Sequence, residues 1–218
     1  VLFGPNSQVD VGGLAASTLD IDNADFMSGD LRFHSGAGSG SITSQGQIET
    51  TLGGFVALLA PEVINEGLLV APYGRVAMAA GERVEIDLDG QGRWVQVEPA
   101  LVDTLIENRH AIEVNAGQIL LSSRAVNELA RGVIRQSGTL TANSMVQSGG
   151  RILLEGDDIH LSSSAQIQAN GAVGGGDVLI GGDWQGGQNA ERRVFDDPAT
   201  LHQADTVRME AGASIQAN

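Results

Sequence analysis

Apolar and polar residues alternate in short phrases that return along the chain. A glycine turn leads into a short apolar strand, and a polar corner carrying Asn, Ser or Gly follows. The phrase reads GGFVALLAPEVINEGLLV from Gly53, GRVAMAAGERVEIDL from Gly74, AGQILLSS from Ala116, GGRILLEGDDIHLSSSAQIQAN from Gly149 and GGGDVLIGGDW from Gly174. Within it, Val84, Ile86 and Leu88 alternate with Arg83, Glu85 and Asp87, which places the apolar set on the buried side of a strand. The turn glycines are separated by 21 residues (Gly53 to Gly74), 43 (Gly74 to Gly117), 33 (Gly117 to Gly150) and 26 (Gly150 to Gly176). A step of 21 residues predicts a β-solenoid, with the second gap read as two coils and the next two as single coils lengthened by insertions. Each coil then adds a few residues to one continuous stacked core.

Two segments break the pattern and read as helices laid against the solenoid, giving insertions near 98–110 and 122–134. In PALVDTLIENR, Leu101, Val102, Leu105 and Ile106 recur at helical spacing after Pro99. In SSRAVNELARGV, Ser122 or Ser123 is placed to cap a helix with an apolar stripe of Val126, Leu129, Ala130 and Val133 and with Gly132 near its end. A third insertion, 186–205, is polar and contains Pro198, and reads as a projecting loop. SSAQIQAN (Ser163 to Asn170) is echoed by GASIQAN (Gly212 to Asn218), which predicts one corner in successive coils. No polar cap follows Asn218, so the expectation is a solenoid that continues in the native protein.

Composition sharpens the core. The chain has 218 residues, 30 of them Gly, yet 42% are hydrophobic, too many for a disordered glycine-rich linker. Aromatics are only 4%, so the interior must be narrow and built from Val, Ile, Leu and Ala. All 12 basic residues are Arg, and the net charge of −15 opposes binding to nucleic acid or anionic lipid. The acid pairs Asp87/Asp89, Asp157/Asp158 and Asp196/Asp197 read mainly as solvated surface. Cysteine is absent, which removes disulfide and thiolate chemistry and is compatible with export. No apolar run approaches the ~20 residues that span a bilayer, so no membrane insertion is expected.

The opening residues, Val1-Leu2-Phe3-Gly4-Pro5-Asn6-Ser7-Gln8-Val9-Asp10-Val11-Gly12-Gly13-Leu14, are similar to a stretch of the filamentous-haemagglutinin-like exoproteins of two-partner secretion. There the stretch follows an Asn-Pro-Asn-Gly motif, which this chain lacks together with everything before it. Leu19-Asp20-Ile21, VINEGLL at Val63 to Leu69, and Gly181-Gly182-Asp183-Trp184-Gln185-Gly186 also resemble that family, so the likeness spans most of the chain. It implies an all-β, right-handed parallel β-helix from a large secreted bacterial protein. It also implies recognition in the periplasm by a dedicated outer-membrane β-barrel transporter, with folding outside the cell. Residues 1–218 would then form a single β-helix domain, the latter part of the secretion domain without its amino-terminal cap, running into a shaft. The expected role is export and the scaffold of a surface adhesin or filament in attachment, aggregation or biofilm formation. A shaft carrying a toxin is a further possibility within the family.

Candidate chemistry is sparse. His34, His110, His160 and His202 lack metal-ligand spacing, and no HExxH, GxSxG or phosphate loop occurs. The enzymatic alternative, a carbohydrate-active β-helix, would use Glu85, Asp87 and Asp89 on one strand face with Arg83 or Arg93 nearby. A solvated strand face has the same pattern, and the expectation is no enzyme and no cofactor. Gly174-Gly175-Gly176-Asp177 and Gly181-Gly182-Asp183 suggest calcium-binding turns, but the tandem nine-residue spacing is missing and tight backbone turns suffice. Ligand contacts, if any, fall on Tyr73, Trp94 and Trp184 as a carbohydrate-stacking surface, with extracellular polysaccharide or host-cell glycans as partners, and on Asp196 and Asp197 in the loop. Isolated aromatics more often cover the apolar end of a coil.

Overall fold

Four inward columns of aliphatic side chains set the architecture. Ile42, Val63, Ile106, Ile134 and Ile159 stack in register on one face. Ile48, Leu69, Ile112, Leu140 and Ile167 do so on a second. A third face holds two columns, Val56-Val76-Ile119-Ile152 and Leu58-Met78-Leu121-Leu154. All are buried, and a buried side chain of this kind contributes about 1.5–3 kcal/mol over an exposed one. Like stacks on like at the ~4.8 Å strand spacing, and the chain winds as a parallel β-helix. The computed structural model describes residues 1–36, 38, 40–88, 94–126, 130–187 and 201–218.

The first coil is β1 (Leu2–Phe3) and β2 (Gln8–Ser17), after which the chain leaves the helix through β3 (Asp20–Ile21), α1 (Asn23–Ser28) and β4 (Leu31–His34). The second is β5 (Ser41–Ser44) and the long β6 (Gln47–Leu59). The third is β7 (Glu62–Asn65), β8 (Leu68–Val70) and β9 (Arg75–Ala80), followed by a second departure as the hairpin β10 (Arg83–Ile86) and β11 (Val95–Glu98). The fourth is β12 (Thr104–Asn108), β13 (Ala111–Glu113) and β14 (Gln118–Ser123), and the fifth is β15 (Gly132–Gln136), β16 (Thr139–Thr141) and β17 (Arg151–Gly156). The sixth is β18 (Asp158–Leu161), β19 (Gln166–Gln168) and β20 (Asp177–Ile180), and β21 (Thr206–Met209) and β22 (Ser214–Gln216) belong to the seventh. One parallel sheet runs β1-β5-β7-β12-β15-β18-β21. A second sheet makes the other two faces, because β2 and β6 pass through the corner between them: β8-β13-β16-β19-β22 continues from the first part of β6, and β9-β14-β17-β20 from its second part.

Register corrects the coil count. Gln118 pairs directly with Arg75, so the 43 residues between Gly74 and Gly117 are one coil with a hairpin departure, not two coils. The next two gaps are single coils, as their lengths suggested. The echoed corner also holds, since Ile167 pairs with Ile215 and Gln168 with Gln216. The strand carrying Val84 and Ile86 lies in the hairpin, and Leu88 is exposed instead of inward.

Neither helix expected at 98–110 and 122–134 is present among the described residues, which form β12, the end of β14, the start of β15 and the connections between them, with an isolated parallel bridge from Ala100 to Ala125. Thr104, Ile106 and Asn108 are the inward set of β12, and two of the three are polar, which hides the period-two pattern from a hydropathy reading. Leu101 and Val102 are exposed. Ser122 and Ser123 cap nothing: they are buried on β14, with Ser122 Oγ donating to Glu155 Oε2 at 2.9 Å and Ser123 Oγ 3.0 Å from Thr104 Oγ1. Gly132 opens β15, and residues 127–129 of the second segment lie outside the described residues. The sole described α-helix is α1, a single exposed excursion.

Two corner ladders fix how coils stack. In one, Asn65 Nδ2 donates to Asn108 Oδ1 at 2.8 Å and Asn108 Nδ2 to Gln136 Oε1 at 3.0 Å, all three side chains fully buried. In the other, glycines stack backbone on backbone: a Cβ at Gly74 would meet Gly54 O at 2.0 Å, at Gly117 it would meet Gly74 O at 2.0 Å, and at Gly150 Gly117 O at 2.2 Å. No side chain fits there, so the glycine turn of the sequence is a close-approach requirement.

Candidate functional site

The outer side of the β9-β14-β17 face is itself covered. Ala57, Leu59, Ala77, Ala79, Leu120 and Leu153 alternate with the inward columns and form a second core with Phe33, Val84, Ile86, Trp94, Val95, Val97 and Leu201. The lid is an antiparallel sheet, β11-β10-β4-β3, assembled from both departures of the chain. Its outward side carries two cross-strand rows, His34-Arg83-Glu98 and Arg32-Glu85-Gln96. Arg32 Nε lies 3.3 Å from Glu85 Oε1, Arg83 Nη1 3.8 Å from Glu98 Oε2, and His34 Nε2 3.8 Å from Asp22 Oδ1. These rows line a groove of about 750 Å³ that ends at Arg124, whose Nη1 donates to Val97 O at 3.0 Å. Within the two rows Arg32 faces Glu85 and Arg83 faces Glu98, so the rows are polar and balanced in charge. Beside it α1 leaves Phe26 65% and Met27 82% exposed.

A smaller groove of about 360 Å³ lies over the glycine ladder, at the edge of the lid. Arg75, Gln118, Arg151 and Asp177 form one column along it, beside the bare backbone of Gly74, Gly117 and Gly150, with Tyr73 on the other flank. Arg151 Nε pairs with Asp177 Oδ2 at 3.3 Å. The Arg75 guanidinium lies 5.9 Å from the centroid of the Trp94 ring, and Phe55 meets the same ring edge-on at 6.3 Å. Tyr73 has φ 53° and is 48% exposed. The left-handed region raises the energy of a non-glycine residue by about 1–2 kcal/mol, and in the preceding coil the equivalent residue is Gly53, with φ 76°.

The structure separates the predicted contact residues. Trp94 is 1% exposed, so it offers no stacking face: it is a core residue that positions Arg75. Trp184 is 49% exposed, but it follows β20 whereas Tyr73 precedes β9, at opposite ends of strands in one parallel sheet. Asp196 and Asp197 lie outside the described residues, as do Asp89 and Arg93. Glu85 accepts from Arg32 Nε, and Asp87 N donates to Trp94 O at 2.8 Å. Asp177 is ion-paired and Asp183 Oδ1 accepts from Trp184 N at 2.7 Å. Among the described residues, no three His, Asp or Glu side chains gather as metal ligands.

One cluster escaped the sequence reading. Glu155 and Asp157 are buried, although the Asp157/Asp158 pair reads as surface. Glu155 Oε1 accepts from His202 N at 2.8 Å, Asp157 Oδ2 from Gly132 N at 2.6 Å, and His202 Nε2 lies 2.6 Å from Asp157 Oδ1. The returning end of the 186–205 insertion is thereby tied to the helix, with Leu201 buried in the second core. No local signal pairs His202 with acids 45 and 47 residues earlier in the chain. Surface networks shift other groups: Arg109 is raised by hydrogen bonds to Glu107 and then Glu66. Glu66 is lowered by Gln45 and then Arg109, and Glu210 by the Ser163 N–H and then His160.

Among the described residues no helix is long and apolar enough to cross a membrane. The fold matches the crystal structure of the HMW1 secretion domain from Haemophilus influenzae with a TM-score of 0.74 at 23% identity, covering 100% of this chain and 61% of that one. A heme/hemopexin-binding protein of Haemophilus influenzae is 24% identical over 104 residues, 48% of this chain and 11% of that protein. The chain therefore spans a small part of that relative and about three fifths of the solved domain. The family model for the TPS secretion domain, the domain of two-partner secretion, matches residues 1–192. With that match over most of its length, on the same β-helical fold, the chain belongs to the TPS secretion domain family.

Proposed function

We propose that these residues act as one β-helix unit that addresses a bacterial exoprotein to its outer-membrane β-barrel transporter and, once outside, forms the base of an adhesive surface filament. The observation that carries this reading is the family match over residues 1–192. Physical features support it. Within the helix each strand between the first and last rungs pairs with the coil before and the coil after, so coils can add one at a time as chain becomes available. The absence of cysteine leaves no thiol to be oxidised prematurely in the periplasm. The charge of −15 keeps the module off anionic headgroups and nucleic acid during passage and at the cell surface. Attachment, aggregation or biofilm formation would then follow from contacts with extracellular polysaccharide or host-cell glycans.

The test is export in a reconstituted pair. Behind a secretory signal, the domain should reach the medium only when its cognate transporter is co-produced and should remain in the periplasm otherwise. Equal release with and without the transporter would overturn the reading.

A further inference from the structure

We propose that the groove over the glycine ladder binds a linear acidic polysaccharide, with a sugar ring against Tyr73 and its carboxylate on Arg75. This assignment rests on the glycan-contact part of the function proposed above and locates it. Tyr73 stands in a rung occupied by Gly53 in the coil before, by Ala116, also left-handed at φ 54°, in the coil after, and by Gly149 and Gly175 in later coils. Its backbone is in the left-handed region and its ring is half exposed. Ala116 shows that this corner is built without a ring, so the half-exposed ring of Tyr73 is not required by the turn and is free for a contact beyond the fold.

Opposite the ring, Arg75 is fixed over Trp94 and has no carboxylate partner among the described residues of a strongly acidic chain. Gln118 on the next rung has an amide without a side-chain partner among the described residues, ready to donate to and accept from hydroxyls. Between these walls the floor is glycine backbone, which lets a ring approach closely. An extended peptide is disfavoured, because β9, β14 and β17 are each paired on both sides and offer no free strand edge. A stacked, hydroxyl-rich, carboxylate-bearing chain uses Tyr73, Arg75 and Gln118, while Arg151 stays paired with Asp177, so the groove keeps the Arg75 charge in excess although the chain as a whole is acidic.

Isothermal titration of the domain with oligogalacturonate, which carries one carboxylate per sugar, tests the site, with neutral dextran oligomers and poly-glutamate as comparison ligands. Oligogalacturonate should bind in a salt-dependent way, and Arg75→Gln should weaken it about ten-fold, the loss of one charge-assisted hydrogen bond. Tyr73→Gly should weaken it similarly while leaving the melting temperature unchanged or raised, an outcome that a structural role for the ring would not give. If the wild-type domain binds oligogalacturonate and both variants bind equally well, the site is wrong and the glycan reading stands. If neither oligogalacturonate nor dextran binds, the glycan reading falls with it. Binding of poly-glutamate as tight as that of oligogalacturonate would mean bare carboxylate recognition and would overturn the sugar assignment.

Discussion

Asn108→Ala should destabilise the domain by about 2–4 kcal/mol, far more than a surface amide would. Asn108 is fully buried, accepts from Asn65 Nδ2 at 2.8 Å and donates to Gln136 Oε1 at 3.0 Å. Alanine leaves the Gln136 oxygen without this donor in the interior, which costs about 1–3 kcal/mol. Asn65 Nδ2 keeps a bond to Ala111 O at 3.3 Å, so its side of the loss is an ordinary hydrogen bond, about 0.5–1.5 kcal/mol. Guanidinium unfolding followed by tryptophan fluorescence gives the change, since Trp94 is buried in the second core. A triple change to leucine at Asn65, Asn108 and Gln136 supplies the contrast. Leu161 already occupies the next rung, in register with Gln136, and replacing all three together leaves no side-chain orphan, only the Gly67 N–H that donated to Asn65 Oδ1, a loss already counted in the Asn65 single change. The triple variant should therefore lose less than the sum of the three single changes to leucine. A loss below about 0.5 kcal/mol for Asn108→Ala, the range of ordinary surface substitutions, or strict additivity in the triple, would refute the ladder as a stabilising network.

Gly117→Ala puts a Cβ 2.0 Å from Gly74 O and should destabilise by about 1–3 kcal/mol through overpacking, read as a lowered melting temperature; an unchanged melt would sink the close-approach argument. His202→Ala removes the contact with Asp157, and limited proteolysis should then cut within 201–205 faster than in the wild type, whereas an equal rate would mean that the tie does not hold the segment. Glu66 and Glu210 have lowered pKa values, so their ionised forms stabilise the fold above the ordinary glutamate range and that contribution fades as pH falls through the lowered values. The melting-temperature advantage of the wild type over the Glu66→Gln/Glu210→Gln variant should accordingly be present near neutrality and shrink below about pH 4; a difference constant with pH would contradict it.

The solenoid was legible because its signals are local: glycine turns that admit no side chain, and branched aliphatics at period two. What hid was polar matter inside. Thr104 and Asn108 face inward beside Ile106, so β12 loses its alternation and mimics a helix. Ser122 and Ser123 are buried against Glu155 and Thr104 and mimic a cap. The lid was invisible for a different reason, since β4 and β10 come from separate coils and nothing local pairs them. Of the site, Tyr73 was visible as an unusual aromatic. Its left-handed backbone and the burial of Trp94 beneath Arg75 depend on coil register, which glycine spacing misjudged at the 43-residue gap.

The lid also introduces a matter of timing. Phe33 pairs with Val84, 51 residues later, whereas the second and third coils are joined across only 21, as Thr43 with Ile64. A chain that emerges from its amino end can close early coils at once and pair β4 with β3, but the other edge of β4 must wait until the third coil and β10 have appeared. Closing the longer loop adds little in entropy, since that term grows only as the logarithm of length, so the delay is one of sequence order. Until β10 arrives, Phe33 and the outward Ala57 and Leu59 lack part of their cover. The lid is therefore completed only after three coils are in place, and its completion covers an apolar outer face that the coils alone leave open.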